Sequence, residues 1–225
     1  MLKEHEKEFV EKGMNIYKNQ SLNFDFDILK IKKGITMKYH IKTLKNNKKD
    51  TEKVKNFLFK MIEREYGYSY IPQYHYDIKN LSQIYLNPEK NTFLIAEDKK
   101  ENIIGTIGIR QLDKEFEELN IAYKNKYPYE NTASIWRVFV DKRYRRKGIG
   151  RKLVKRAEFF VKKMKYDRLY LHTHKDINGA LDFWLSQDYD IILDTNNELK
   201  TIHMEKNKFK LINNLKKRHI YKSHT

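Results

Sequence analysis

Apolar positions recur with two periods along this chain, and the switches between them mark out its elements. From Met37 the pattern is regular. Lys38 to Leu44 alternates as a strand. Val54, Phe57, Leu58, Met61 and Ile62 then follow helical spacing behind Asp50 or Thr51, either of which can cap the helix. Asp77 is placed to cap a second, short helix running through Leu86. Thr92–Glu97 and Ile103–Ile109 predict the two strands of a hairpin around the polar turn Asp98 to Asn102. The polar, Tyr-rich stretch 111–131 predicts a helical excursion. Ser134 to Val140 predicts a strong strand. Gly148 to Lys165 predicts a helix with Ile149, Leu153, Ala157, Phe160, Val161 and Met164 on one face. Arg168–His172 reads as a strand, 178–187 as a helix, and 189–194 and 200–205 as two closing strands. Upstream, residues 1–20 read loosely as a helix and 22–32 alternate as a strand. The expected organisation is an N-terminal extension at 1–36, one domain at 37–206 and a basic tail at 207–225. Strands alternating with helices mean an α/β or α+β domain around a central sheet.

Composition narrows the function classes. The 225 residues suit a single domain, and 40% apolar with 13% aromatic residues can fill a core. No run approaches the roughly 18 apolar residues of a membrane span, so no membrane insertion is expected. The first residues are charged and lack a signal-peptide apolar region, which makes the cytoplasm the default location. Without cysteine there are no disulfides, no thiolate metal sites and no cysteine acyl-enzyme. The formal charge of +17 is uneven. Residues 30–60 carry 11 Lys against Asp50 and Glu52, and the tail from Lys206 carries 7 bases and no acid. Such ends can attract nucleic acid. No nucleic-acid motif accompanies them, and abundant Lys, Asn, Ile and Tyr also suit an AT-rich coding sequence.

The chemistry concentrates at Tyr144-Arg145-Arg146-Lys147-Gly148-Ile149-Gly150-Arg151, between a strand end and a helix start. Two glycines one residue apart leave backbone amides open to a ligand. The helix behind them adds unsatisfied N–H groups and the positive end of its dipole. Nine basic residues and no acid lie between Lys142 and Arg156. That suits a ligand with several phosphates. A Walker loop is excluded because neither Lys-Ser nor Lys-Thr follows Gly150. A dinucleotide fingerprint fits poorly because Leu153 stands where its third glycine belongs.

Arg145-x-x-Gly148-x-Gly150 after Val138-Phe139-Val140-Asp141 closely resembles the acyl-CoA loop of the GNAT N-acetyltransferase superfamily. Ala180-x-x-Phe183-Trp184-x-x-x-Asp188-Tyr189 resembles its second motif, Thr201–Lys206 its usual final strand, and Asn102–Gly108 its third. The resemblance spans about Met37 to Lys206 and is sharp only at Arg145–Gly150. It implies a mixed sheet splayed between the fourth and fifth strands, Ser134–Val140 and Arg168–His172. It implies acetyl-CoA as co-substrate and a primary amine as acceptor. Amides of Arg146, Lys147, Gly148, Ile149, Gly150 and Arg151, in the loop opened by Arg145, would hold the pyrophosphate. Backbone of Val138, Phe139 and Val140 would pair with the pantetheine arm like an added strand.

Asp188 stands where the family pattern has glycine and Asn178 lies one residue later than its asparagine, and two further departures fall on the positions that would move protons. Trp184 stands where many relatives place a tyrosine acid, and an indole N–H has no useful acidity. Ser134 stands where many place a glutamate base, and its hydroxyl alone is too weak a base. Glu97, His172 and His174 are the candidates to move a proton in their stead. His172-x-His174 lacks further ligands at metal spacing, so no metal is expected. Tyr66, Tyr68, Tyr70, Tyr74 and Tyr76 either wall the acceptor pocket or simply pack. A weakly catalytic CoA-binding sensor or an RNA-associated basic protein is the alternative function on the same fold. Acceptor, acyl-chain length and oligomeric state are not encoded in any motif found.

Overall fold

The computed structural model describes residues 27–30, 36–112 and 129–207. The helix expected at 1–20, most of the excursion expected at 111–131 and the tail beyond Asn207 lie outside the described residues. In chain order the strands are β1 (Asp27–Lys30), β2 (Thr36–Thr43), β3 (Thr92–Asp98), β4 (Ile103–Gln111), β5 (Thr132–Val140), β6 (Arg168–His174), β7 (Asp190–Asp194) and β8 (Thr201–Asn207). They form one sheet in the order β1-β2-β3-β4-β5-β6-β8-β7. Every neighbouring pair is antiparallel except β5 and β6. β1, from the stretch read as an extension, adds to the edge of this same sheet.

Helices cover both faces. α1 (Lys48–Tyr66) and α2 (Pro72–Lys79), with a π-type turn at Ser82–Leu86, pack Val54, Leu58, Ile62, Ile78, Leu81 and Tyr85 against Phe93 and Ile95. On the opposite face α3 (Ile149–Lys163) buries Ile149, Leu153, Val154, Ala157 and Val161, while α4 (Ala180–Leu185) contributes Trp184. Burial on both faces explains why β3 and β4 read as nearly continuous apolar runs.

Two helix starts differ from the sequence expectation. α1 begins ahead of Asp50 because Asn47 is its cap, its Oδ1 accepting from the Asp50 amide at 2.9 Å. The Thr51 hydroxyl instead donates back to the Asn47 carbonyl, 2.9 Å. Asp77 caps nothing. α2 starts at Pro72, whose fixed φ suits a first helical position, and Asp77 points inward from its last turn. The chain then continues to Leu86 through the π-type turn, in which the Asn87 amide bonds the Ser82 carbonyl at 2.9 Å.

Candidate functional site

The parallel ladder between β5 and β6 is short. It joins Thr132 to Arg168, Ala133 to Leu169 and Ser134 to Tyr170, and then the strands part. Ile135–Val140 of β5 and Leu171–His174 of β6 run on without pairing to each other, so one side of β5 opens on a gap. On its other side β5 stays bonded to β4, where the Asp141 amide donates to the Ile104 carbonyl at 3.0 Å. Backbone alternation then turns the peptide groups of Val138 and Val140 toward the gap.

The basic loop sits at the end of that gap. Asp141 opens a short turn (Lys142–Tyr144) by accepting from the Arg143 amide at 3.0 Å. Its carboxyl is held below the usual range by the hydrogen bonds from Arg143, with the Arg64 charge adding to them. Arg145 Nε donates to the Val140 carbonyl at 3.0 Å, and its guanidinium also pairs with Glu65 of α1. This arginine therefore braces the loop against β5 and α1, and it takes up one of the two peptide carbonyls on the gap side. Arg146 and Gly148 both lie in the left-handed region, at φ 58° and 77°. Gly148 is the α3 N-cap and carries no side chain, so the first-turn amides of α3 face outward without a capping oxygen. Ile149 is core, and only its backbone belongs to the loop. A Cβ on Gly150 would lie 3.3 Å from the Phe183 ring of α4 and 3.7 Å from Val140 Cγ2. Strand end, loop, α3 start and α4 thus converge on one spot, and the small residue there keeps the backbone approachable.

The proton-transfer candidates are scattered. Glu97 is separated from β5 by β4 and faces Lys42 (2.5 Å), His40 (3.2 Å) and Lys53 (3.9 Å). The structure does not bring it to the gap. His172 lies on the stretch of β6 that has parted from β5 while still paired with β8, where it stands opposite His203, and its ring meets Trp136 of β5 edge-on at 5.0 Å across the mouth of the gap. Burial, with the charges of His174 and His203 beside it, lowers its pKa to about 3. It is neutral at physiological pH and only weakly basic. His174 stands 6.2 Å from it, ring to ring, with Nδ1 3.0 Å from the Leu199 carbonyl, and burial lowers its pKa too. Ser134 is consumed structurally: its hydroxyl donates to the Arg110 carbonyl (3.1 Å) and accepts from Trp136 Nε1 (2.8 Å). Trp184 is buried between Phe183 and Tyr189. Asp188, where the family pattern has glycine, is exposed with φ 62°, a conformation Asp tolerates better than most residues.

The tyrosines divide. Tyr66 meets Phe139 of β5 edge-on at 6.5 Å, and a chain of rings continues through Tyr68 to His75. Burial pushes the Tyr66 phenol up to about 12, so it keeps its proton. Tyr70 packs on Phe59, while Tyr74 and Tyr76 are 57% and 58% exposed. An arrangement that periodicity did not reveal lies beside these rings. Arg137 of β5 binds Asp77 of α2 through Nε (2.9 Å) and Nη2 (2.5 Å) and also donates to the Tyr74 carbonyl at 2.5 Å. Tyr85 adds a 2.6 Å bond to the same carboxylate. Burial raises the Asp77 pKa, but the Arg137 charge and these hydrogen bonds outweigh it and hold the carboxyl below its ordinary value. Nothing in the sequence pattern flagged this pair, because its partners are 60 positions apart.

Among the described residues no three His, Cys, Asp or Glu side chains converge to hold a metal, and no helix is long and apolar enough to cross a membrane. Residues 55–189 match the model of the Acetyltransferase (GNAT) family. The fold is similar to that of a GNAT-family acetyltransferase from Staphylococcus aureus Mu50, with TM-score 0.58, 24% identity, and 74% of this chain and 98% of that one covered. An acetyltransferase from Streptococcus agalactiae 2603 gives TM-score 0.59 at 20% identity, covering 75% and 98%. PaiA N-acetyltransferase from Thermoplasma acidophilum, in complex with coenzyme A, gives 0.52 at 21%, covering 74% and 98%. At these identities the likeness carries the fold alone. A comparison with curated protein sequences gave no significant match.

Proposed function

Because the chain belongs to the GNAT acetyltransferase family, we propose that it moves an acetyl group from acetyl-CoA directly onto a primary amine. The observation that carries this reading is the β5–β6 ladder that stops after Ser134 and Tyr170, with the Arg145–Gly150 loop at the end of the resulting gap. The complex of PaiA with coenzyme A supports CoA as the acyl carrier. The residues present fit that carrier: first-turn amides of α3 without a capping side chain, a glycine at Gly150 where a Cβ would crowd Phe183, and gap-facing peptide groups at Val138 and Val140. Arg146, Lys147 and Arg151 supply positive charge for its phosphates. The thioester supplies an activated acyl group with a good leaving group.

The amine nitrogen forms a C–N bond to the acyl carbon while the C–S bond breaks. The thiolate leaves with the electron pair, and the nitrogen's extra proton goes to water. The N–H of Val138 is the backbone donor for the oxygen on which charge develops. Neutral His172, across the gap mouth from Trp136, offers a polar contact for the acceptor rather than a strong base. The amine must therefore arrive unprotonated or lose its proton through ordered solvent. The test is thiol release from acetyl-CoA across a panel of amines. Turnover above the hydrolytic background on at least one amine is expected. Acetyl-CoA binding with no turnover on any of them overturns the enzyme reading in favour of a CoA-binding sensor.

A further inference from the structure

β5 carries one residue more than its partner can match. Thr106 of β4 stands opposite Phe139, and Gly108 stands opposite Trp136, so Ile107 alone faces both Arg137 and Val138. Arg137 is the surplus residue, with φ 52°. A bulge of this kind sends two consecutive side chains to one face and bends the strand. Trp136 and Phe139 pack with the α1–α2 core, and Arg137 joins them on that face to reach Asp77. Val138 and Val140 pack with the α3 core instead. The extra residue also reverses which peptide groups face the gap. Before it these belong to Ala133 and Ile135, the odd positions, and after it to Val138 and Val140.

Left-handed backbone is unfavourable for an arginine and persists only where its surroundings impose it. Here the surroundings are specific. The guanidinium is held by both carboxylate oxygens of Asp77 and by the Tyr74 carbonyl, and the Arg137 carbonyl accepts from the Thr106 hydroxyl at 2.8 Å. Asp77 is fixed in turn by Tyr85, which the π-type turn directs inward. Both ends of the bulge residue, side chain and carbonyl, are therefore tied down.

We propose that Arg137 is a positioning residue for acyl transfer: clamped to Asp77, it holds the β5 bulge so that the Val138 N–H points into the gap at the acyl carbonyl. Arg137 touches no reacting atom. It acts through the backbone that follows it, and Asp77 and Tyr85 act through Arg137. The inference rests on the acetyl-CoA reading above and assigns the geometry of that site to a pair of residues from α2 and β5.

The experiment is isotope-edited infrared spectroscopy of acetyl-CoA labelled with ¹³C at the carbonyl, bound to the full chain, with CoA affinity measured by calorimetry on the same samples. Wild type is expected to move the thioester carbonyl band to lower frequency than in free acetyl-CoA. Arg137→Gln is expected to return the band to the free position while CoA affinity stays within about threefold of wild type, because the phosphate contacts lie elsewhere. Should Arg137→Gln alone fail to fold, the Asp77→Asn/Arg137→Gln double variant removes both charges and leaves neither orphaned. It is expected to give the same spectral result. A folded variant that binds CoA and keeps the wild-type band overturns the proposal, as does a wild-type complex with no band shift. Failure of wild type to bind CoA at all overturns the acetyl-CoA reading itself, and this inference falls with it.

Discussion

Single residues set the sharpest constraints on this protein. Gly148 holds φ 77° at the start of α3, where an L side chain is strained. Gly148→Ala is expected to cost about 1 kcal/mol in urea unfolding and to weaken CoA binding more than a control Ala substitution at exposed Lys155. Calorimetry on the two variants measures the difference. His172 makes a pH prediction whose sign follows from its surroundings. Its pKa falls from 6.5 to about 3 on folding, so between those values the unfolded chain binds a proton that the native state refuses. Stability is therefore lost as pH falls below 6.5. Groups facing His172 with the same sign of effect are His174, His203, Arg137 and Arg110. Unfolding free energy is expected to be lower at pH 5 than at pH 7 by about 2 kcal/mol from this group. His172→Gln is expected to flatten that part of the profile, and urea titrations at both pH values test it. The position of His172 beside the strand that splays was legible, because it follows from the order and alternation of the strands. Its desolvation was not, since that depends on Trp136 and His203 lying within one ring's reach.

At the scale of elements, helical periodicity located α1 and α3 well, because their apolar positions face a sheet along their whole length. Their ends were harder to read. Asp50 and Thr51 both carry capping oxygens ahead of the first apolar repeat, yet Asn47 is the cap and the two lysines after it are helical. Asn47→Ala is expected to destabilise the protein by about 1 kcal/mol, seen as a lower thermal midpoint with native circular dichroism retained. The β5 bulge was invisible for a different reason. Ser134 to Val140 alternates well enough to read as a straight strand, and the surplus residue is an arginine rather than the glycine that usually signals one. Likewise Asp77 had the residue type of a cap but serves as a buried counter-charge, a role decided by β5 arriving beside α2.

For the whole molecule, the useful consequence of its charge is local. The basic stretch from Lys142 to Arg156 holds the loop at the end of the β5–β6 gap, while Arg143 and Arg145 are partly neutralised by Asp141 and Glu65. A ligand that binds only the native state shifts unfolding by mass action. Acetyl-CoA at 100 times its dissociation constant is expected to add about 2.7 kcal/mol to unfolding. That gain is expected to shrink as salt screens the phosphate contacts. Differential scanning fluorimetry at two ionic strengths measures both effects, and a ligand-independent midpoint counts against the acyl-CoA site.

The order of elements, the glycine-bearing basic loop and the strand before it follow from local rules: side-chain period, backbone freedom at glycine and helix-end polarity. Such rules act over a few residues, which is why a linear reading reaches them. Where the strands part, which charges are buried together and which backbone amide faces the gap depend on groups far apart in the chain. Arg137 meets Asp77 only because the sheet brings β5 beneath α2. Glu97 is kept from the gap by the strand that lies between. Burial and partnership of this kind are properties of packing, and only the tertiary structure decides them.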